Sequence, residues 1–186
     1  MSTFAPMPAE AETARLRLRP WTAADAEAVR ELWAERDPRS ARRIDADGHP
    51  TVAELRTSIE TRERESARTG LRLWALERRD QPGFLGYCGL VAEAATHDEP
   101  EIAFELVSDA QGQGYATEAA RAAVAAARAS GRSRLWASVR AWNDASFRVL
   151  AKLEFLDSGR VTPDPARGDL VWMTLALPRP RGAGRP

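Results

Sequence analysis

The residues best suited to chemistry lie in one stretch, Ser108-Asp109-Ala110-Gln111-Gly112-Gln113-Gly114-Tyr115-Ala116-Thr117-Glu118. Ahead of it, Glu101 to Val107 reads as a strand; behind it, an Ala-rich run to Ser130 reads as a helix. A strand, a glycine-bearing turn and a helix start gather backbone N–H groups and the positive end of a helix dipole at one point. Such a place takes a phosphate or a pyrophosphate. Gly112 and Gly114 lack Cβ atoms and let a ligand approach the main chain. A Walker-type loop requires Lys-Ser/Thr after its last glycine, and Tyr115-Ala116 stands there instead. The dinucleotide fingerprint requires a third small residue where Thr117 stands. It also requires an acidic residue about 20 positions on, where Trp136, Ala137 and Ser138 fall. The pattern that remains is Gln-x-x-Gly-x-Gly/Ala, as Gln111 to Ala116.

The elements that must position this turn can be read along the chain. Residues 1–12 show no periodicity and read as a flexible arm. From Thr13 to Arg19 the chain alternates, Leu16 and Leu18 on one face and Arg15, Arg17 and Arg19 on the other, as in a half-exposed strand. Thr22 to Asp25 is a capping-box variant before a helical stripe of Ala28, Val29, Leu32 and Trp33. After a loop from Asp37 to Pro50, Thr51 and Glu54 form a full capping box for a second helix, which Gly70 stops. Leu71–Arg78 and Phe84–Val91 read as an antiparallel hairpin. The second of these strands is apolar on both faces and therefore central. The strand at 101–107, the Ala-rich helix and a short buried strand at 135–139 make one βαβ unit with parallel strands. A helix from Asn143 to Leu153 and an antiparallel pair, 155–160 with 170–177, complete a domain spanning 13–177. The Pro/Gly/Arg-rich tail at 178–186 reads as disordered.

Composition sets limits on partners. Acidic and basic residues balance at 27 each among 186, so no global field draws the chain to nucleic acid or to a membrane. The apolar share of 44% is that of a soluble globular protein. A single cysteine, Cys88 in an apolar strand, excludes an internal disulfide and fits a cytoplasmic setting. His49 and His97 stand apart in loops with no second His or Cys beside them, so no metal site is expected. Trp74, Trp136 and Trp142 read as core or cleft wall.

With the order β, α, α, β, β, β, α, β, α, β, β, the Gln111–Ala116 turn resembles the acyl-CoA pyrophosphate loop of the GNAT N-acetyltransferases. The resemblance covers about residues 13 to 177. Gly114-Tyr115-Ala116-Thr117-Glu118-Ala119 is similar to the form of the ribosomal-protein N-acetyltransferase-like subgroup. Asn143-Asp144-Ala145-Ser146, followed by Leu150-Ala151-Lys152-Leu153-Glu154-Phe155, matches that subgroup's Asn-x-x-Ser and Leu-x-Lys-x-Gly-Phe, with Glu154 where glycine is usual.

The resemblance implies an α/β (α+β) GNAT fold, a mixed sheet of about seven strands flanked by about four helices. Its fourth and fifth strands run parallel and splay. It implies acetyl-CoA as acyl donor, without a metal. The pyrophosphate would sit on Gln111, Gly112, Gln113, Gly114, Tyr115, Ala116 and Thr117, and the pantetheine arm along Phe104, Glu105 and Leu106, where a bulge would free backbone groups. Asn143 is either the helix N-cap or a pantetheine partner. The implied base is Glu101, with Glu105, on the same strand face, second; both also read as solvated carboxylates. Ser146 is the implied donor to the leaving thiolate, and also reads as an ordinary first-turn serine. The acceptor would be a primary amine, either a protein N-terminus or a small molecule, and the chain a monomer or homodimer. The alternative is a non-catalytic acyl-CoA-binding or regulatory module.

Overall fold

Capping and alternation reappear in the computed structural model, which describes residues 4–40 and 42–178. In chain order the elements are β1 (Ala11–Glu12), β2 (Leu16–Arg19), α1 (Ala26–Ala34), α2 (Val52–Thr69), β3 (Leu73–Arg78) and β4 (Phe84–Val91). They continue with β5 (Glu101–Leu106), α3 (Tyr115–Ala129), β6 (Arg134–Arg140), α4 (Asp144–Ala151), β7 (Leu156–Thr162) and β8 (Leu170–Ala176). The sheet has eight strands in the order β1-β2-β3-β4-β5-β6-β8-β7. One strand more than the sequence suggests comes from the two-residue β1. Every neighbouring pair is antiparallel except β5 and β6, which run parallel.

Local chemistry fixes the helix ends. The Glu54 carboxylate accepts the Thr51 N–H at 2.6 Å and the Thr51 hydroxyl accepts the Glu54 N–H at 3.3 Å, the reciprocal box that starts α2. Gly70 ends that helix at φ 72°. Before α1, Thr22 N–H donates to Asp25 at 2.7 Å, so Asp serves where Glu is usual.

Period-two alternation divides the core between two layers. Leu73 and Ala75 turn toward α1 and α2, joining Trp21, Val29, Leu55 and Ile59. Trp74 and Leu76 turn the other way, joining Leu16, Leu18 and the alanines of α3. Ala119, Ala120, Ala123 and Ala127 are fully buried, and their small side chains seat α3 close on the sheet.

Residues 4–12 differ from the loose arm expected. Met7 is buried, its N–H donates to Gly70 O at 2.9 Å, and the Trp74 indole N–H donates to the carbonyls of Pro8 and Ala9. Ala11 and Glu12 then pair with Leu18 and Arg17. Backbone bonds and one methionine hold this segment, and neither leaves a periodic signature. The tail expected to be disordered lies outside the described residues beyond Pro178.

Helix α4 ends in a Schellman arrangement: Phe155 N–H donates to Leu150 O and Glu154 N–H to Ala151 O, both at 3.1 Å. Leu150 and Phe155 are both buried behind it. The residue forced to positive φ is Glu154, at 65°. The turn therefore forms without the glycine usual at this position, at a cost of about 1–2 kcal/mol in left-handed strain. Glu154→Gly should relieve that strain, less the extra chain entropy of glycine, and raise Tm by about 2–4 °C in a thermal melt. A lower Tm would mean that contacts of the Glu154 side chain outweigh the strain.

Candidate active site

The site begins where β5 and β6 part. They share one register pair, Glu101↔Trp136, and Trp136 N–H donates to Pro100 O at 3.0 Å. Past that point the next β6 donor, Ser138 N–H, goes to the Glu101 carboxylate at 2.8 Å, and the Ser138 hydroxyl donates to the same oxygen. Glu101 is buried, and burial raises its carboxyl pKa against the lowering effect of the two Ser138 hydrogen bonds. The bulge expected near Phe104–Val107 is absent. The β4–β5 register runs unbroken from Gly86↔Leu106 to Val91↔Glu101. Groups on the β5 edge are freed because β6 departs, which needs no extra residue.

A 3-10 turn at Ser108–Ala110 follows β5 and leads into the glycine turn. Gly112 and Gly114 adopt φ of 74° and 84°, values a side chain would strain. No side chain caps α3, and the N–H groups of Gly112 to Thr117 donate to no protein acceptor among the described residues. Uncapped amides at a helix start are donors for an anion. The Gln111 side chain turns back to Leu106 O at 3.0 Å and that of Gln113 to Asp109 O at 2.7 Å, so both brace the turn.

The turn is clamped from the β1–β2 side. Glu118 accepts the Thr13 hydroxyl at 2.6 Å, the Arg15 N–H at 2.8 Å and the Arg15 Nε at 2.7 Å. Arg15 also donates to Gln113 O at 3.0 Å and stacks over the Tyr115 ring at 4.5 Å. Partial burial would raise the Glu118 carboxyl, but these hydrogen bonds outweigh it and hold the group below the usual carboxylate range. The clamp is therefore intact at neutral pH and is lost only in acid.

A cavity of about 520 Å³ joins these parts. Phe104, Glu105 and Leu106 line it from β5, Gln111, Gly112 and Gly114 to Thr117 from the turn, and Asn143 and Ser146 from α4. Of the residues singled out from sequence, Gln113 and Glu101 are not on its wall. Asn143 Oδ1 accepts the Ser146 N–H at 3.1 Å as N-cap, which leaves its amide N–H₂ to donate elsewhere. The cap and a ligand contact therefore do not compete. Glu105 differs from a free carboxylate. It accepts from Arg36 Nε at 2.6 Å, from a second Arg36 nitrogen, and from the Tyr87 hydroxyl at 2.6 Å. Burial, with Glu105 beside it, pushes Tyr87 above its usual range.

Trp142 lines the cavity, a cleft-wall position as expected, and Arg36, Arg148 and Lys152 also line it without having been singled out as site residues from sequence. The i, i+4 spacing of Arg148 and Lys152 on the helix that carries Ser146 was a readable signal. Cys88 is fully buried with its thiol pushed up by burial, as inert core. His49 lies 2.8 Å from the Glu54 carboxylate, and no group of three or more metal-ligating side chains occurs among the described residues. No helix among them is long and apolar enough to cross a membrane.

Comparison with known proteins agrees with this geometry. Residues 15–156 match the model of the acetyltransferase (GNAT) domain. The uncharacterised N-acetyltransferase YoaA of Bacillus subtilis (strain 168) is 31% identical over 150 residues, covering 80% of this chain and 83% of that one. Among solved structures, RimL, a ribosomal-protein α-N-acetyltransferase in complex with coenzyme A, superposes with a TM-score of 0.74 at 16% identity, over 92% of this chain and 97% of its own. A GNAT-family acetyltransferase from Bacillus anthracis gives 0.72 at 18% identity, over 90% and 98%. The chain belongs to the GNAT acetyltransferases. It is an enzyme that transfers an acetyl group from acetyl-CoA to an amine.

The clamp yields a test. Glu118→Ala removes the support under the turn without substituting any residue that lines the cavity. The Kd for coenzyme A by calorimetry should rise about tenfold, equivalent to about 1.4 kcal/mol. An unchanged Kd would show that the turn keeps its shape without the clamp.

Proposed function

We propose that the acetyl-CoA diphosphate rests on the amides of Gly112 to Thr117 and the pantetheine arm lies in the β5–β6 gap. The thioester then faces Ser146 on one side and the incoming amine on the other. The amine, from a protein N-terminus or a small molecule, attacks the carbonyl carbon directly. The C–S bond breaks, and Ser146 donates a proton to the departing thiolate. What carries this reading is one cavity that brings together the uncapped start of α3, the β5 edge and a serine hydroxyl without a hydrogen-bond partner among the described residues. Arg148 and Lys152 add positive charge to a cavity that must take a phosphate-bearing ligand.

An amine attacks only as free base. An α-amine with a reference pKa near 8 needs little help, while a Lys ε-amine near 10.4 needs a base or strong desolvation. Glu101, with its carboxyl raised by burial, is the base in this reading, directly or through water. Glu105 is assigned a structural part, because Arg36 and Tyr87 already occupy its oxygens.

Turnover is measured as thiol release with a panel of amines and peptides; binding of acetyl-CoA without release would favour an acyl-CoA sensor. Ser146→Ala should lower kcat by about 10²-fold or more with coenzyme A affinity nearly unchanged, and a loss of affinity alone would make Ser146 a binding residue. With Glu101 as base, activity persists below the pKa of the acceptor amine. Glu101→Gln should therefore move the acid limb of kcat/KM upward, toward about 8 for an α-amine. A limb that stays in place would exclude Glu101 as the base.

A further inference from the structure

A second cavity, of about 250 Å³, lies against the α1–α2 side of the sheet. Its floor is Tyr87, Val91 and Ala103. Glu101 pairs with Val91 across the strands and Glu105 with Tyr87, so this floor lies between the two carboxylates. Glu101 also feels the charges of Glu93 and Arg42, both on the cavity wall. The cavity thus abuts the carboxylate assigned as base, on the face opposite α3.

Trp21, Val29, Trp33, Leu55, Ile59 and Leu73 give the wall its apolar and aromatic part, and Ser58 is its one uncharged hydroxyl besides that of Tyr87. Trp33 leaves its buried indole N–H without an acceptor among the described residues. The charged groups lining the cavity are Arg42, Arg62 and Glu93. Glu93 accepts from Arg42 and lies 3.9 Å from Arg62, so one carboxylate is shared between two guanidiniums. The Arg62 guanidinium, half-buried on α2, makes no hydrogen bond with the described residues, and Glu93 at 3.9 Å is its ion-pair partner. At the other end of the floor, Arg36 is satisfied by Glu105 and offers nothing.

Resting on the acetyl-transfer reading above, we infer that the acceptor is an α-amine whose carbon carries a branched or aromatic side chain beside a carboxylate or carbonyl oxygen. Arg62 receives that oxygen. A free apolar amino acid and the first residue of a peptide share this chemistry. The aromatic walls take the side chain, the surplus guanidinium takes the oxygen, and the amine faces Glu101. Polyamines fit poorly. Their spaced ammonium groups need several carboxylates, and the wall supplies one that is already shared. A volume below the roughly 300–1,000 Å³ of pockets for drug-sized ligands selects a compact side chain.

The test is thiol release by the full chain with acetyl-CoA and four acceptors: free phenylalanine, a tripeptide amide beginning with phenylalanine, phenethylamine and spermidine. Phenylalanine or the tripeptide should exceed phenethylamine and spermidine in kcat/KM by at least about tenfold. Whichever of the first two leads identifies the oxygen as carboxylate or chain carbonyl. Arg62→Ala should raise KM for that leading acceptor about tenfold and leave KM for acetyl-CoA unchanged, with Arg62→Lys restoring part of the loss. Spermidine or phenethylamine in the lead would overturn the inference, as would an Arg62→Ala effect equal for phenethylamine. No release with any of the four, while other amines of the wider panel do release thiol, would also overturn the inference; no release with any amine of that panel would overturn the acetyl-transfer reading itself.

Discussion

A backbone N–H or C=O that leaves its strand partner without reaching water costs about 1–3 kcal/mol. The β5–β6 junction is arranged around that cost. The sheet on either side is intact, with six consecutive residue pairs between β4 and β5 and seven between β6 and β8. Two rigid half-sheets therefore meet at a single register pair and diverge. The Glu101 carboxylate takes the first β6 donor past the split, in the place of the β5 carbonyl that has moved away. Its burial follows from this position, and burial then raises its pKa. One side chain closes the apex of the gap and thereby acquires a raised proton affinity.

The second constraint is the bare start of α3. A helix end without a cap forgoes about 1 kcal/mol. Here the loss is offset away from the ligand side. Glu118, in the first turn, favours the helix dipole, and its negative charge would oppose a phosphate if left alone. Arg15 and Thr13 bind that carboxylate on the outer side, and Arg15 continues to Gln113 O. The amides are left free while the turn that presents them is held.

Features set by local chemistry were legible in the sequence. The Thr51–Glu54 box, the Gly70 stop, the α3 span and the parallel pair around it appear where propensity and spacing place them. Chain-distant pairs were not. Arg19 reads as the exposed face of a strand, yet Asp25 and Glu77 both pair with it and it is largely covered. Glu105 reads as a free carboxylate because Arg36 is far away in sequence. The expected bulge fails because periodicity within β5 says nothing about where β6 turns away. Glu154 shows the limit in the other direction: a substitution that sequence alone treats as a doubtful turn is accommodated, because the Leu150 and Phe155 contacts set the local geometry.

Arg36, Glu105 and Tyr87 stand between the two cavities. Tyr87 lines the α1–α2 cavity, Arg36 and Glu105 line the one at the α3 turn, and hydrogen bonds join all three. Stability does not explain such a group, since apolar residues of like volume commonly serve as well or better in place of a buried ion pair. What the trio supplies is a polar wall of fixed shape. Each Glu105 oxygen is occupied, so no stray carboxylate competes for an incoming ammonium. The single Arg36 charge is matched by Glu105, so it draws no anion away from the α3 amides. The trio keeps the two faces of the sheet chemically separate, and in the proposed reading that leaves Glu101 and the strand gap as the place where an amine and a thioester would meet.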